Sequence, residues 1–262
     1  MNIIEIKGLY KEFYETRGLL DTIAHPLNKG RKKVVLNKIN LAVKKNELFC
    51  IVGPNGAGKT TLIKILCTLI IPTDGEAFVN GYDIVKEEKK VRETIGFISS
   101  DERGFFWRLS GIGNLKFFAT LYNISPVRIS GEIERVIAIA GIDEPEKPFQ
   151  EYSTGVRQRL GIARSLLREP EVLFMDEPTK NLDPLMTTSF RRFIKEELVV
   201  KHKKTVFFTT HQLNEAEIMA DRIAILDKGI IKRVGSLDEL KKDTGLKDGT
   251  IEEMFSYYIK QY

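Results

Sequence analysis

Three groups of residues in this chain have the types and spacing for phosphate chemistry. The first is Gly53-Pro54-Asn55-Gly56-Ala57-Gly58-Lys59-Thr60, followed by Thr61, which fits the pattern G-x-x-x-x-G-K-[ST]. The glycines let backbone N–H groups turn inward as an anion nest, and the following helix adds the positive end of its dipole. Lys59 supplies a point charge to the outer phosphates of a nucleotide, and Thr60 a hydroxyl for Mg²⁺. The second group is Val172-Leu173-Phe174-Met175-Asp176-Glu177, an apolar run ending in two carboxylates. A strand of this kind delivers acid at its C-terminal edge, where open α/β sheets bind ligands. Asp176 is an oxygen donor of the type that Mg²⁺ prefers, and Glu177 a candidate general base toward water. The third is Phe207-Phe208-Thr209-Thr210-His211, in which His211 stands at the same edge to hydrogen-bond the γ-phosphate. Taken singly, each has an ordinary alternative: a Gly-rich turn, a solvated acidic turn, a structural histidine. Their succession along one chain favours the phosphate reading.

These residues need elements to position them. Residues 3–6, 34–43 and 48–52 cluster or alternate β-branched side chains and read as strands. Asp74-Gly75 and Asn80-Gly81 bracket a short strand at 76–79. Residues 15–33 have little strand character and read as an inserted loop or short helix. Residues 114–122, 130–140 and 155–168 carry helical spacing. Strand and helix then alternate: strands at 172–175, 205–209 and 223–226, helices at 187–200 and 214–220. Such alternation implies a mostly parallel sheet. The reading is one α/β nucleotide-binding domain over 1–235, with a helical insertion at about 99–160 and an amphipathic helical tail over 236–262.

The 262 residues are 42% hydrophobic and 29% charged, which suits a globular protein with a sizeable core. The net charge of +5 fits a nucleotide, a nucleic acid or an anionic membrane face and selects none of them. The basic runs Arg31-Lys32-Lys33 and Lys201-His202-Lys203-Lys204 read as solvated surface. Cys50 and Cys67 sit in apolar surroundings as core fillers, which points to a reducing compartment. The N-terminus lacks a signal-peptide pattern, and no apolar run approaches the roughly 20 residues of a membrane span. Work at a membrane would need another chain to cross it.

Glu151-Tyr152-Ser153-Thr154-Gly155-Val156-Arg157-Gln158-Arg159 lies upstream of the acidic strand and resembles the signature sequence of the ATP-binding-cassette (ABC) ATPases. Phosphate loop, signature, Asp176-Glu177, a D-loop-like Asn181-Leu182-Asp183 and His211 follow in family order from roughly residue 3 to 235. The resemblance implies a P-loop NTPase core with an antiparallel β subdomain and a helical insertion subdomain. It implies ATP and Mg²⁺ as cofactors. It also implies a head-to-tail dimer with a second copy or a paralogous subunit, in which Ser153 and Gly155 of one subunit cap ATP on the other, and it makes Asp183 a further nucleotide-binding candidate. Ser153 fits equally as the N-cap of the following helix. Phe13, or else Tyr14, is the candidate to stack on adenine, with core filling as the ordinary alternative. Ser100, before Asp101 and Glu102, stands where the family places a metal-contacting glutamine, and Thr154 and Val156 depart from the usual signature. Phe105, Phe106 and Trp107 are the candidate docking patch for a membrane permease, with packing inside the insertion as the alternative. The function implied is ATP hydrolysis driving export through a separate permease, on the cytoplasmic face of the membrane and with no nucleic acid expected. The competing readings are a soluble ABC ATPase acting on nucleic acid or ribosomes, and a regulatory module that no longer hydrolyses.

Overall fold

The computed structural model describes residues 1–14, 31–99, 104–244 and 250–260. Its larger sheet is built on the strands that read as continuous apolar runs: β3 (Leu48–Val52), β7 (Val172–Asp176) and β8 (Thr205–Thr210), all buried but for half-buried Asp176. Such runs suit a parallel sheet covered on both faces. With β6 (Ile95–Ser99), β9 (Arg222–Asp227) and β10 (Ile230–Gly235), they form the order β10-β9-β3-β8-β7-β6. Every neighbouring pair is parallel except the β9–β10 hairpin.

The second sheet is antiparallel, in the order β2 (Lys32–Lys44), β1 (Asn2–Tyr14), β4 (Asp74–Val79), β5 (Tyr82–Asp83). Its tightest point is Gly75 at φ +84°, where a Cβ would stand 2.4 Å from the carbonyl oxygen of Gly8. Only glycine meets both conditions.

Helix α1 (Lys59–Leu66) follows the phosphate loop, and α2 (Glu88–Thr94) precedes β6. Among the described residues, α3 (Gly111–Leu121), α4 (Pro126–Ala140) and α5 (Thr154–Leu166) lie between β6 and β7. Proline opens α4 and Gly141, at φ +62°, closes it. After β7, α6 (Pro184–Phe193) winds on as π-helix through Ile194–Lys201, and α7 (Leu213–Met219) follows β8. The tail forms α8 (Leu237–Thr244) and α9 (Ile251–Lys260).

The two-residue period of the strands divides the core. On β3, Leu48, Cys50 and Val52 join an apolar cluster with α3 to α9, while Phe49 and Ile51 join another with α1 and the antiparallel sheet. Strand β7 splits the same way, Leu173 and Met175 against Val172 and Phe174. Both cysteines are buried and free, as core fillers should be.

Several boundaries differ from the sequence reading. Strands β1 and β2 run longer, so Lys32 and Lys33 belong to β2 rather than to a loop; residues 15–30 lie outside the described residues. The helix expected over 187–200 begins three residues earlier, because Asp183 caps it and Pro184 opens it. Strand β10 and helix α2 were not foreseen. The first is an edge strand in which only Gly235 is fully buried, and the second buries only Val91. The tail helices pack Leu240, Ile251, Met254 and Tyr258 into the first cluster and so dock on the core.

Candidate functional site

Strands β3, β8 and β7 are adjacent and parallel, so their C-terminal ends open at one edge. Val52 pairs with Thr210 and Asp176 with Thr209, which brings Gly53, Asp176-Glu177 and His211 out of the sheet together. This is where the strand-to-helix turns of an open α/β sheet bind ligands.

The turn from β3 to α1 is made by glycine. Gly56 and Gly58 have φ of +81° and +107°. At Gly58 a Cβ would meet the Val35 carbonyl oxygen at 2.9 Å, and at Gly53 the Leu226 carbonyl oxygen at 2.1 Å. Pro54, Asn55 and Gly56 face solvent, whereas Ala57 is buried and its carbonyl accepts from Gly229 N at 2.9 Å. Lys59 lies back across the loop, its Nζ donating to the carbonyls of Gly53 at 2.8 Å and Pro54 at 3.1 Å. Burial lowers its pKa, and attraction to Glu177 and Asp176 opposes that. Thr61 follows, half-buried in the first turn of α1.

Thr60 Oγ1 donates to Asp176 Oδ1 at 3.2 Å, and Thr209 Oγ1 donates to the same oxygen at 2.6 Å. The phosphate loop and the acidic strand are thus joined by one carboxylate. Hydroxyl and carboxylate oxygens are the donors that hard cations take. Mg²⁺ usually needs only one or two from the protein beside phosphate and water. Thr60 and Asp176 therefore fit a Mg²⁺-nucleotide. Ser100 lies outside the described residues; the neighbouring Ser99 pairs with Asp176 across the sheet.

Glu177 turns the chain out of β7 with a positive φ of +50°, its N–H bonded to the Thr209 carbonyl at 3.1 Å. Its Oε1 lies 3.0 Å from His211 Nδ1 and its Oε2 3.1 Å from Lys180 Nζ. Burial raises the carboxyl pKa, but the hydrogen bonds from His211 and Lys180 outweigh it and leave the group below its ordinary value. The carboxylate is therefore ionised at neutral pH. Lys180 and Thr209 escaped the sequence reading. Lys180 had a local signal, three residues beyond an acid; Thr209 had none.

The remaining candidates lie on other elements. Ser153 caps α5, but its Oγ accepts from Val156 N at a long 3.4 Å. That cap contributes less than the roughly 1 kcal/mol of a well-made one. Asp183 caps α6 closely, accepting from Met186 N at 2.8 Å. Gly155 is buried against that same Met186, whose sulfur would be 2.6 Å from a Cβ at 155. Signature and D-loop segments are thus packed on each other. Among the described residues, no hydrogen bond ties Ser153, Gly155 or Asp183 to the phosphate loop.

Phe13 and Tyr14 are exposed at the far end of β1, so neither fills the core. Phe13 pairs with Lys33, and its ring lies 4.7 Å from Lys11 Nζ. The strand opposite passes Val35 over Gly58, which leads the β1 end toward the phosphate loop. The aromatic triplet divides. Phe105 is half-buried, stacked on Phe149 at 4.8 Å and edge-on to Phe118, with the Arg164 guanidinium 4.7 Å from its ring. It packs within the helices, which corrects the expectation that all three aromatics form a docking patch. Phe106 and Trp107 are 47% and 48% exposed and carry Leu109 and Phe117 beside them. Arg157 lies 4.8 Å over Trp107.

Comparison with known proteins agrees with this geometry. A model of the ABC transporter family matches residues 36–180. The daunorubicin resistance ATP-binding protein of Streptomyces coeruleorubidus is 38% identical over 82% of this chain and 67% of its own. The bacitracin transport ATP-binding protein of Enterococcus faecalis is 34% identical over 92% of this chain and 71% of its own. An ATP-binding cassette solved as a dimer in a post-hydrolysis state, bound to ADP and Pi, superposes with a TM-score of 0.73 at 25% identity, covering 89% of this chain and 98% of that one.

Proposed function

The chain belongs to the ABC transporter family, and on that premise we propose that its ATP hydrolysis drives export through a separate membrane-spanning permease. ATP binding and hydrolysis, a cassette dimer and pairing with a permease come with the family. Among the described residues no helix is long and apolar enough to cross a membrane, and the permease would hold the subunit at the membrane's cytoplasmic face, where ATP is. Export is supported by the relatives named for daunorubicin resistance and bacitracin transport.

The observation that carries the mechanism is the junction at Asp176, which ties the phosphate loop to the strand bearing Glu177. In our reading the Gly53–Thr61 segment wraps the phosphates with backbone N–H groups. Lys59 exchanges its bonds to the Gly53 and Pro54 carbonyls for phosphate oxygens. Thr60 and Asp176 would hold Mg²⁺, which would supply positive charge against the phosphates. Glu177 accepts the proton of the attacking water, and His211 keeps that carboxylate aimed. Ser153, Gly155 and Asp183, at the N-termini of α5 and α6, face the ATP of the second cassette. Phe13 is the candidate adenine platform. Phe106 and Trp107 offer the permease an aromatic surface. Residues 1–235 form the cassette, with 99–160 inserted and 236–262 appended.

The test is Mg²⁺-dependent phosphate release by the subunit with its permease. Lys59→Ala and Glu177→Gln should each lower kcat at least about a hundredfold, the size of a general-base contribution. In the Glu177→Gln protein, ATP binding should persist. Turnover equal to wild type in either variant overturns the assignment.

A further inference from the structure

Glu215, on α7, is a carboxylate that the phosphate chemistry above does not use, and it is 1% exposed. Its Oε1 accepts from Thr179 Oγ1 at 2.5 Å and its Oε2 from Thr210 Oγ1 at 2.6 Å. Arg191 of α6 supplies the counter-charge, with Nε 3.7 Å from Oε1. Both threonines are themselves buried. A buried carboxylate is tolerated only when hydrogen-bonded and charge-compensated, and this one is both.

The two hydroxyls come from the two arms of the hydrolytic pair. Thr179 stands two residues after Glu177, and Thr210 stands immediately before His211. Thr210 Oγ1 also accepts from Gln212 N at 3.0 Å, closing the backbone around His211. The arms leave β7 and β8 as separate chain segments, and Glu215 grips both beneath the 3.0 Å contact between Glu177 and His211.

We infer that Glu215 is a positioning residue for ATP hydrolysis, a strap that holds the Glu177 and His211 arms in register through Thr179 and Thr210. The inference rests on reading Glu177 and His211 as the hydrolytic pair. Glu215 touches neither nucleotide nor water in this role. It fixes the spacing on which the orientation of the base depends, and rates are steep in such spacing.

Substituting Glu215 itself would strand the Arg191 charge in the core, so the hydroxyls are the better target. Thr179→Val and Thr210→Val keep the volume and each remove one bond to the carboxylate. Thr179→Ser and Thr210→Ser keep the bond. Steady-state ATP turnover is measured with the permease present, alongside Glu177→Gln. Each valine variant should lose roughly tenfold to a hundredfold in kcat with KM for ATP unchanged, and each serine variant should regain most of it. Valine variants with wild-type kcat, serine variants as slow as valine, or a KM that rises as kcat falls would each overturn the strap while Glu177→Gln remains inactive. If Glu177→Gln turns over normally, the hydrolytic reading is what fails, and the strap falls with it.

Discussion

Asn114 shows how a single side chain fixes a surface. It is fully buried at the start of α3. Its Oδ1 accepts from Phe106 N at 2.8 Å, and its Nδ2 donates to the carbonyls of Phe106, Leu109 and Ser110 at 3.0, 3.3 and 3.1 Å. The segment bearing Phe106 and Trp107 is tied from beneath by this amide, beside the bond from Gln150 N–H to the Trp107 carbonyl at 3.0 Å. Asn114→Ala would leave the Phe106 N–H without its partner and remove a second bond from the Phe106, Leu109 and Ser110 carbonyls, each of which keeps a backbone N–H, so we expect a loss of about 1–3 kcal/mol in unfolding free energy, read from denaturant midpoints. A loss below about 0.5 kcal/mol, the level of ordinary surface changes, would refute this account of the segment. The same contrast of scale explains what the sequence revealed. The phosphate loop was legible because its chemistry is local: glycines at positive φ beside a lysine and a threonine. Asp176 and Glu177 were legible because an apolar run ends in them. Thr209 and Glu215 were not, because their partners Asp176 and Thr179 are 33 and 36 residues away. Glu215 also meets Thr210, five residues back, but a threonine and an acid at that spacing mark nothing by themselves.

At the scale of elements, α5 links two surfaces. Its N-terminus presents Ser153 and Gly155, and its side carries Arg157 over Trp107 and Arg164 over Phe105 and Phe118. The aromatic segment therefore leans on the helix that would cap the partner's ATP. Phe106→Ala and Trp107→Ala should weaken co-purification with the permease while leaving the melting temperature and ATP binding intact. Permease retained at wild-type stoichiometry in both folded variants would remove these residues from the docking surface. Elements were legible to the extent that burial was continuous. Strands β3, β7 and β8 stood out as apolar runs, whereas β10 carries Lys232 and Arg233 along a sheet edge. The change from α6 to π-helix is a shift in backbone pairing that leaves no residue pattern to read. The triplet Phe105-Phe106-Trp107 announced a patch, but its partition into one packed and two exposed rings depends on Phe149, more than forty positions along the chain.

At the scale of the molecule, the parallel sheet separates two apolar clusters and opens one edge. One cluster seats α1 and the antiparallel sheet, which set the phosphate loop. The other seats the inserted helices, which carry the signature and the exposed aromatics, together with α7, which carries Glu215, and the tail. The proposed hydrolytic edge and the proposed permease surface thus share one packed body. The central claim is that this subunit works on a permease, and the most direct measurement is what accompanies it. Tagged Glu177→Gln protein would be trapped with ATP in its native membranes, gently solubilised, purified and its companions identified. The account predicts a stoichiometric protein with many membrane spans, and its loss in Lys59→Ala protein that does not hold ATP is not required. Only soluble proteins, ribosomes or nucleic acid, from a preparation in which the ATP-bound dimer has demonstrably formed, would contradict it.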